Sequence, residues 1–381
     1  MTNQSTKHND DQMHPLQRSQ IHSYIQRLTG CSHVLMSGRA AAGIWATLRA
    51  WDFRDRFILL PANTCYIVLW AVLQSGNHPL LVDVDPYTFS LDPTLLDSTL
   101  RAAPAAIIPA HMYGQFAPMK AIVEWASRHH IKVIEDAALA FGASFDGNPA
   151  GSWGDVAVFS FGLGKIVDHQ VGGAVVTNDA VLAREVERLL TNLPRWDDHL
   201  LRLSNEWHGL YWPLHQYEAC NPGLLEVYPI LYKLYHPITC YQLASSDWAD
   251  LADHLEGLKG NRFHRARLRA VYERAGFSSP SHLPDDGALW KFPLLVEPRL
   301  RDALLDYLWE NGIQDATRWY PSLRYMTTAL APDAPQKPTP VADSLSERII
   351  NLPLSLEMDE ADAQRIAYWI IQFIDRHSRG I

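Results

Sequence analysis

Lys165 closes the run Asp155-Val-Ala-Val-Phe-Ser-Phe-Gly-Leu-Gly-Lys165, and Asp136 ends the apolar run Lys132-Val-Ile-Glu-Asp136, 29 residues upstream. A lysine in a loop after a buried strand can carry a carbonyl cofactor as a Schiff base. An aspartate at the tip of a neighbouring strand can keep that cofactor's ring nitrogen protonated. Together they point to pyridoxal phosphate. Taken singly, a loop lysine is ordinarily a solvated surface residue and an aspartate after a strand ordinarily a helix cap. The pair gains its meaning from what surrounds it.

Competing motifs fail on residue type. Phe159-Ser-Phe-Gly-Leu-Gly-Lys165-Ile166 ends like a phosphate-binding loop, but that loop needs glycine where Phe159 stands and a hydroxyl where Ile166 stands. Gly147, Gly151 and Gly154 are spaced GxxxGxxG, which is not the dinucleotide fingerprint. The 17 histidines form no HExxH, and Cys31, Cys65, Cys220 and Cys240 form no CxxC. Cys31-x-His33 has too few ligands for a metal. No metal site is expected.

The elements that must position the pair follow from composition and pattern. A chain of 381 residues exceeds the usual single core, so two lobes are expected. Hydrophobic residues at 47% and charged residues at 20% are globular values. The net charge, 33 − 42 = −9, and the absence of a basic, aromatic-laced stripe argue against a nucleic-acid partner. The polar start from Met1 to Gln12 lacks the apolar core of a signal peptide, and no run of about 18 apolar residues occurs. A soluble, cytoplasmic protein without a membrane partner is expected.

Residues 1–15 read as a loose arm, leading into a helix over 15–28. Apolar strand candidates at 57–60, 79–84, 105–110, 132–135, 156–161 and 173–177 alternate with helical stretches at 40–50, 67–74, 93–100 and 119–129. Continuous apolar strands separated by helices imply a mainly parallel sheet covered on both faces. Ligands gather beyond the carboxyl ends of such strands, where Asp136 and Lys165 fall. Between 181 and 235 lies a segment dense in aromatics, including Trp196, Trp207, Tyr211, Trp212 and Tyr217, and broken by prolines. It reads equally as a wall of the site or of a subunit interface and as an aromatic patch of core. A long helix over 243–275 is expected to link the lobes, followed by a strand at 289–296, a helix at 300–311, a strand at 348–352 and a last helix at 359–377. The domain reading is an arm and helix over 1–30, a large domain over 31–245 containing an aromatic segment at 190–235, and a small α+β domain over 246–381.

A series of landmarks then matches in order. Ser37-Gly38-Arg39-Ala40-Ala41 resembles a Ser-Gly-Thr-Ala-Ala turn, and Asp83-Val-Asp-Pro86 with Phe89-Ser-Leu-Asp92-Pro93 resembles VDVDP…FNLDP. Pro109-Ala-His111-Met-Tyr113-Gly114-Gln115 resembles P-V-H-x-Y-G-Q. Glu135-Asp136-Ala137-Ala138 with Gly142-Ala143 resembles EDAAQ…GA, and Gly151 through Asp155, Ser160-Phe161, Lys165 and Gly172-Gly173 resembles GSxGD…SFxxxK…GG. Gly312-Ile313, Tyr320-Pro321 and Leu352-Pro353-Leu354 continue the match. In series these resemble the DegT/DnrJ/EryC1/StrS aminotransferases, often sugar-aminating enzymes of fold type I. The resemblance implies an α/β fold, with a mainly parallel sheet of the seven-stranded type in the large domain, and pyridoxal phosphate as cofactor. It also implies a homodimer whose active sites draw on both subunits. Lys165 and Asp136 are then catalytic. Gly38, Arg39 and Ala40 at a helix start, with Ser160, suit the cofactor phosphate. Cys65, Tyr66, Leu139 and His236 border the cofactor, and His111, Tyr113, Trp319, Tyr320 and Arg324 border the substrate.

Departures concentrate on the substrate side. Leu139 stands where the family has a glutamine, Cys65 where a ring-stacking aromatic is expected, and His236-Pro237-Ile238 where a partner-supplied asparagine belongs. Arg324 replaces a histidine near Tyr320. The resemblance implies transfer of an amino group from glutamate or glutamine to a keto or aldehyde acceptor: a nucleotide sugar, a cyclitol or another natural-product intermediate. A carboxylated acceptor would suit Arg324. Elimination, dehydration or carbon–carbon bond formation on the same cofactor stays open, as does a non-catalytic scaffold, although the retained Lys165 and Asp136 argue against the last.

Overall fold

The structure, a computed structural model, describes residues 15–218, 225–244, 248, 250–278 and 280–378. Residues 1–14 of the expected arm, Cys220 and the boundary drawn between 245 and 246 lie outside the described residues. The strands, in chain order, are β1 (His33–Ser37), β2 (Phe57–Pro61), β3 (His78–Val82), β4 (Ala106–Ile107), β5 (Lys132–Asp136), β6 (Ser144–Phe145), β7 (Asn148–Pro149), β8 (Val156–Ser160), β9 (Gly173–Thr177), β10 (Phe292–Leu295) and β11 (Ile349–Leu352). Seven of them form one sheet in the order β1-β9-β8-β5-β4-β2-β3. It runs parallel from β3 to β8, with β9 antiparallel to both β8 and β1.

The alternation of side chains along each strand explains the unbroken apolar runs. Ile58, Leu60 and Ile134 enter one core, while Leu59, Leu80, Val82, Ile107 and Val133 enter another on the opposite face. Helices α1 (Pro15–Thr29), α2 (Ala40–Ala50) and α3 (Tyr66–Gln74) contribute to the first core, α4 (Met119–Arg128) to the second, and α5 (Ala180–Thr191) again to the first. The aromatic segment forms α6 (Asp198–Glu218) and α7 (Tyr228–Tyr235). A third core joins Leu268 and Tyr272 to Phe292, Leu304, Ile350 and Ile366. It is built from α9 (Leu258–Arg274), α10 (Pro298–Glu310) and α13 (Glu360–Ser378) around the antiparallel pair β10–β11, whereas α8 (Leu251–Glu256), α11 (Arg324–Leu330) and α12 (Pro340–Arg348) bury their apolar residues in the first core.

Three expectations need correction. The helix expected over 243–275 is two helices, α8 and α9, separated at Gly257, and residues 243, 244 and 250 are not helical. The leucine spacing persists across the break because both pieces bury the same side, through Leu251, Leu255 and Leu258. The stretch expected as a helix at 93–100 is a 3-10 helix, Pro93–Ala102, capped by the Asp92 carboxylate on Thr94 N–H at 2.8 Å. Strand β1 was not expected; it pairs antiparallel with β9 and closes that edge of the sheet.

Candidate active site

Strand register brings the two chemical groups together. Asp136, the last residue of β5, lies opposite Val158 of β8, and β8 ends two residues later at Ser160. From there a loop carries Lys165. The loop folds back on itself: His169 N–H donates to Phe161 O at 2.9 Å, and Leu163 N–H to Gln170 O at 3.1 Å. Asp168 accepts from the amides of Gly164 and Gln170 at 2.8 and 3.1 Å. Gly164 sits at φ +73°, a left-handed conformation that suits glycine, so the chain turns there and Lys165 re-enters the fold.

Burial favours the neutral form of both groups. It pushes the Lys165 amine below its ordinary value, with Cys65 and Asp136 opposing and Arg39 assisting. It raises the Asp136 carboxyl, with the Ala138 amide (3.1 Å to Oδ1), Lys165 and His111 opposing. A neutral amine is a nucleophile, and a buried carboxylate needs a cation. A carbonyl cofactor with a protonatable ring nitrogen meets both requirements.

A third feature suits an anion. Strand register sets Ser37, Gly173 and Ser160 side by side, at the foot of α2. A Cβ on Gly173 would stand 2.6 Å from Ala40 N, so only glycine lets β9 press this closely against the turn. No side chain caps α2 at Arg39, because the Ser37 hydroxyl donates instead to Arg39 O at 2.9 Å. The first-turn amides of α2, the helix dipole and the Ser160 hydroxyl therefore converge on one spot, as a phosphate requires.

The remaining expected site residues divide. Cys65 precedes α3 and is half-buried within electrostatic reach of Lys165 and Asp136. Leu139 is buried and offers no donor. Tyr320 is buried near Cys65 and Asp136, which with burial hold its hydroxyl well above the usual value. Tyr113 is buried, and its hydroxyl accepts from Tyr320 N–H at 3.1 Å, so it supports Tyr320. Trp319 packs edge-on against Trp212, 4.6 Å between centroids. Tyr66, expected as a substitute ring-stacking residue, packs against Trp70, Trp207 and Tyr211 instead. His111 also needs correction as a substrate residue. Its Nε2 donates to Glu135 Oε1 at 2.9 Å, its Nδ1 accepts from Ala117 N–H at 3.1 Å, and no side-chain surface is left exposed. Arg324 is ion-paired to Asp343 at 3.0 Å and donates to Tyr325 Oη at 2.7 Å. His236 begins a 3-10 turn after α7, its Nδ1 turned to Tyr232 O at 3.1 Å and not into this cluster.

Three residues that the sequence reading missed complete the surroundings. The Trp290 ring lies 5.5 Å from Lys165 Nζ, and its indole N–H donates to Gly164 O at 2.6 Å. Asn261 Nδ2 donates to Ile166 O at 2.7 Å. Arg265 clamps both, donating to Asn261 Oδ1 at 2.6 Å and to Trp290 O at 2.8 Å. Asn261 and Arg265, one turn apart among the leucines of α9, are polar residues on a buried face, which is the one faint sign they leave. Among the described residues no group of histidine, cysteine, aspartate and glutamate could hold a metal, and no helix is long and apolar enough to cross a membrane.

Comparison with known proteins agrees with this geometry. The model of the DegT/DnrJ/EryC1/StrS aminotransferase family matches residues 17–199 and 241–370. A UDP-N-acetyl-3-dehydro-alpha-D-glucosamine 3-aminotransferase of Acidithiobacillus ferrooxidans is 29% identical over 91% of this chain and 86% of its own. A dTDP-3-amino-3,6-dideoxy-alpha-D-galactopyranose transaminase of Aneurinibacillus thermoaerophilus is 30% identical over 81% and 76%. Among solved structures, a DegT/DnrJ/EryC1/StrS aminotransferase from Brucella abortus shares the fold with a TM-score of 0.75, at 22% identity over 96% of this chain and 91% of its own. The chain belongs to the DegT/DnrJ/EryC1/StrS aminotransferase family, whose members are enzymes that depend on pyridoxal phosphate.

Proposed function

We propose that the chain transfers an amino group from glutamate or glutamine to a keto or aldehyde carbon of a nucleotide-linked sugar, as a homodimer in the cytoplasm. The observation that carries this reading is the Lys165 amine, biased towards its neutral form by burial and within electrostatic reach of Asp136. Bound pyridoxal phosphate supplies an electron sink for the pair released when the donor loses its α-proton. Asp136 holds the ring nitrogen protonated. Lys165 Nζ would hold the cofactor until the donor's amine displaces it, and the freed Nζ would then take the α-proton and return it one carbon away. Gly38, Arg39, Ala40 and Ser160 hold the phosphate, Cys65 and Leu139 border the ring, and Trp319 and Tyr320 face the acceptor, with His236 contributed to the partner's site.

Relatives named for UDP- and dTDP-linked amino sugars support the acceptor class. The engagement of Arg324 with Asp343 weighs against a carboxylated acceptor, since one edge of the guanidinium is already taken. Ile230 and Leu234, one turn apart on α7, leave an apolar strip exposed, which supports a dimer. The reading is tested by supplying the purified protein with pyridoxal phosphate, either donor and UDP- or dTDP-linked 3-keto sugars. The expected products are the 2-oxo acid of the donor and the 3-amino sugar. Failure of both donors to convert bound cofactor to its pyridoxamine form overturns it.

A further inference from the structure

The family pattern places threonine in the turn before α2, and this chain places Arg39 there. A guanidinium stays charged at any pH the protein meets, and one that is half-buried, as Arg39 is, is best stabilised by an anion. The ionisable neighbours that act most on the Arg39 charge are Tyr241, whose hydroxyl lies beside the guanidinium, Tyr66 and Cys65, all neutral when protonated, and no ion pair among the described residues joins Arg39 to a carboxylate. Lys165 feels the Arg39 charge as well, which places two cationic groups around one spot. The same turn starts α2 without a side-chain cap, and the Ser160 hydroxyl stands two strands away in register, accepting from Gly162 N–H at 3.3 Å. On the other side of the turn Gly38 is closed off: a Cβ there would meet Tyr241 O at 2.2 Å. The Arg39 charge is felt at Lys165 as well as at Tyr241, so an anion seated at the turn beside Lys165 would meet it.

We propose that the Arg39 side chain binds the phosphate of pyridoxal phosphate directly, giving this chain an in-cis cationic phosphate ligand where the family pattern has an uncharged threonine. A planar guanidinium matches two phosphate oxygens at once, whereas a threonine offers a single hydroxyl. The dianionic phosphate would also offset the repulsion between Arg39 and Lys165. This assignment rests on pyridoxal phosphate being the cofactor, and it concerns only how its phosphate is held.

The test compares dissociation constants of pyridoxal phosphate and of pyridoxal, which lacks the phosphate, for apo-protein and for Arg39→Met and Arg39→Thr, read by the visible absorbance of the bound cofactor. Loss of a charge-assisted contact predicts about a 10- to 100-fold weakening for pyridoxal phosphate and about twofold or less for pyridoxal. Equal weakening of both, or weakening of neither, overturns the assignment. A second measurement does not depend on Lys165: inorganic phosphate should raise the melting temperature of wild-type apo-protein, and Arg39→Lys, which keeps the charge, should retain more of that shift than Arg39→Met. Identical shifts in all three proteins also overturn it. If wild-type protein binds neither form of the cofactor, the cofactor reading fails; if it binds both and only the predicted discrimination is missing, the Arg39 assignment alone fails.

Discussion

Burial acts on the two ionisable groups of the site in opposite directions on the pH scale, and both shifts suit the same partner. The Lys165 amine is lowered, which keeps a nucleophile available. The Asp136 carboxyl is raised, so it holds its charge less firmly than a solvated aspartate, at 3.8. A protonated ring nitrogen restores that charge. The carboxylate therefore strengthens cofactor binding above its raised folded-state pKa, and this contribution disappears as pH falls through that value, earlier than for an exposed aspartate. Pyridoxamine phosphate makes no bond to Lys165 and so isolates the effect. Asp136→Asn, which still accepts the Ala138 N–H, should bind it about 10- to 100-fold more weakly at pH 8. The ratio of the two affinities should shrink towards one on acidification; equilibrium dialysis giving a ratio independent of pH would contradict the pairing.

The lysine loop is held by an element that lies far away in sequence. Helix α9 reaches it through Asn261 on Ile166 O, and Arg265 fixes Asn261 and the Trp290 carbonyl together. Burial of Arg265 lowers its guanidinium to about 10, so its two anchoring contacts sit in an environment that tolerates unpaired donors poorly. Asn261→Ala removes the donor to Ile166 O and the acceptor for Arg265, and should cost about 1–3 kcal/mol in urea unfolding. Amide hydrogen exchange at Gly164, Lys165 and Ile166 should quicken at the same time, while β5 keeps its protection. Unchanged exchange in the loop would mean that α9 does not position Lys165. Little of this network was legible in the sequence, because Asn261 and Trp290 lie 95 and 126 residues from the loop carbonyls they bind. The sheet was legible for the opposite reason. Strands buried on both faces read as unbroken apolar runs, and their tips name Asp136 and Ser160 directly. Strand β1 escaped because five residues, His33–Ser37, against the antiparallel edge carry too short a pattern. Helices α11 and α12 escaped because the proline-rich stretch around Pro335, Pro338 and Pro340 masks their period.

At the scale of the whole molecule, one pair of exposed apolar side chains shares a helix face. Ile230 and Leu234, one turn apart on α7, are 60% and 55% exposed, and Leu201 and Leu210 on α6 are 45% and 40% exposed. A single copy leaves these in water, at a cost of about 25 cal/mol for each square ångström of apolar surface that a partner could cover. Behind this face the same two helices carry Trp207, Tyr211 and Tyr232 onto Tyr66 and Trp70, beside the residue, Cys65, that borders Lys165. A partner packed on α6 and α7 would thus brace the floor of the site, and His236, at the end of α7, lies where it could reach across. The proposed dimer should sediment at about twice 43.1 kDa. Replacing two exposed leucine-like side chains by carboxylates, Ile230→Glu with Leu234→Glu, should give a folded monomer, because neither side chain belongs to a core of the single chain. Amino transfer should fall with dimer content and recover at protein concentrations that restore association. A monomeric variant with undiminished transfer would show that each copy builds its active site alone.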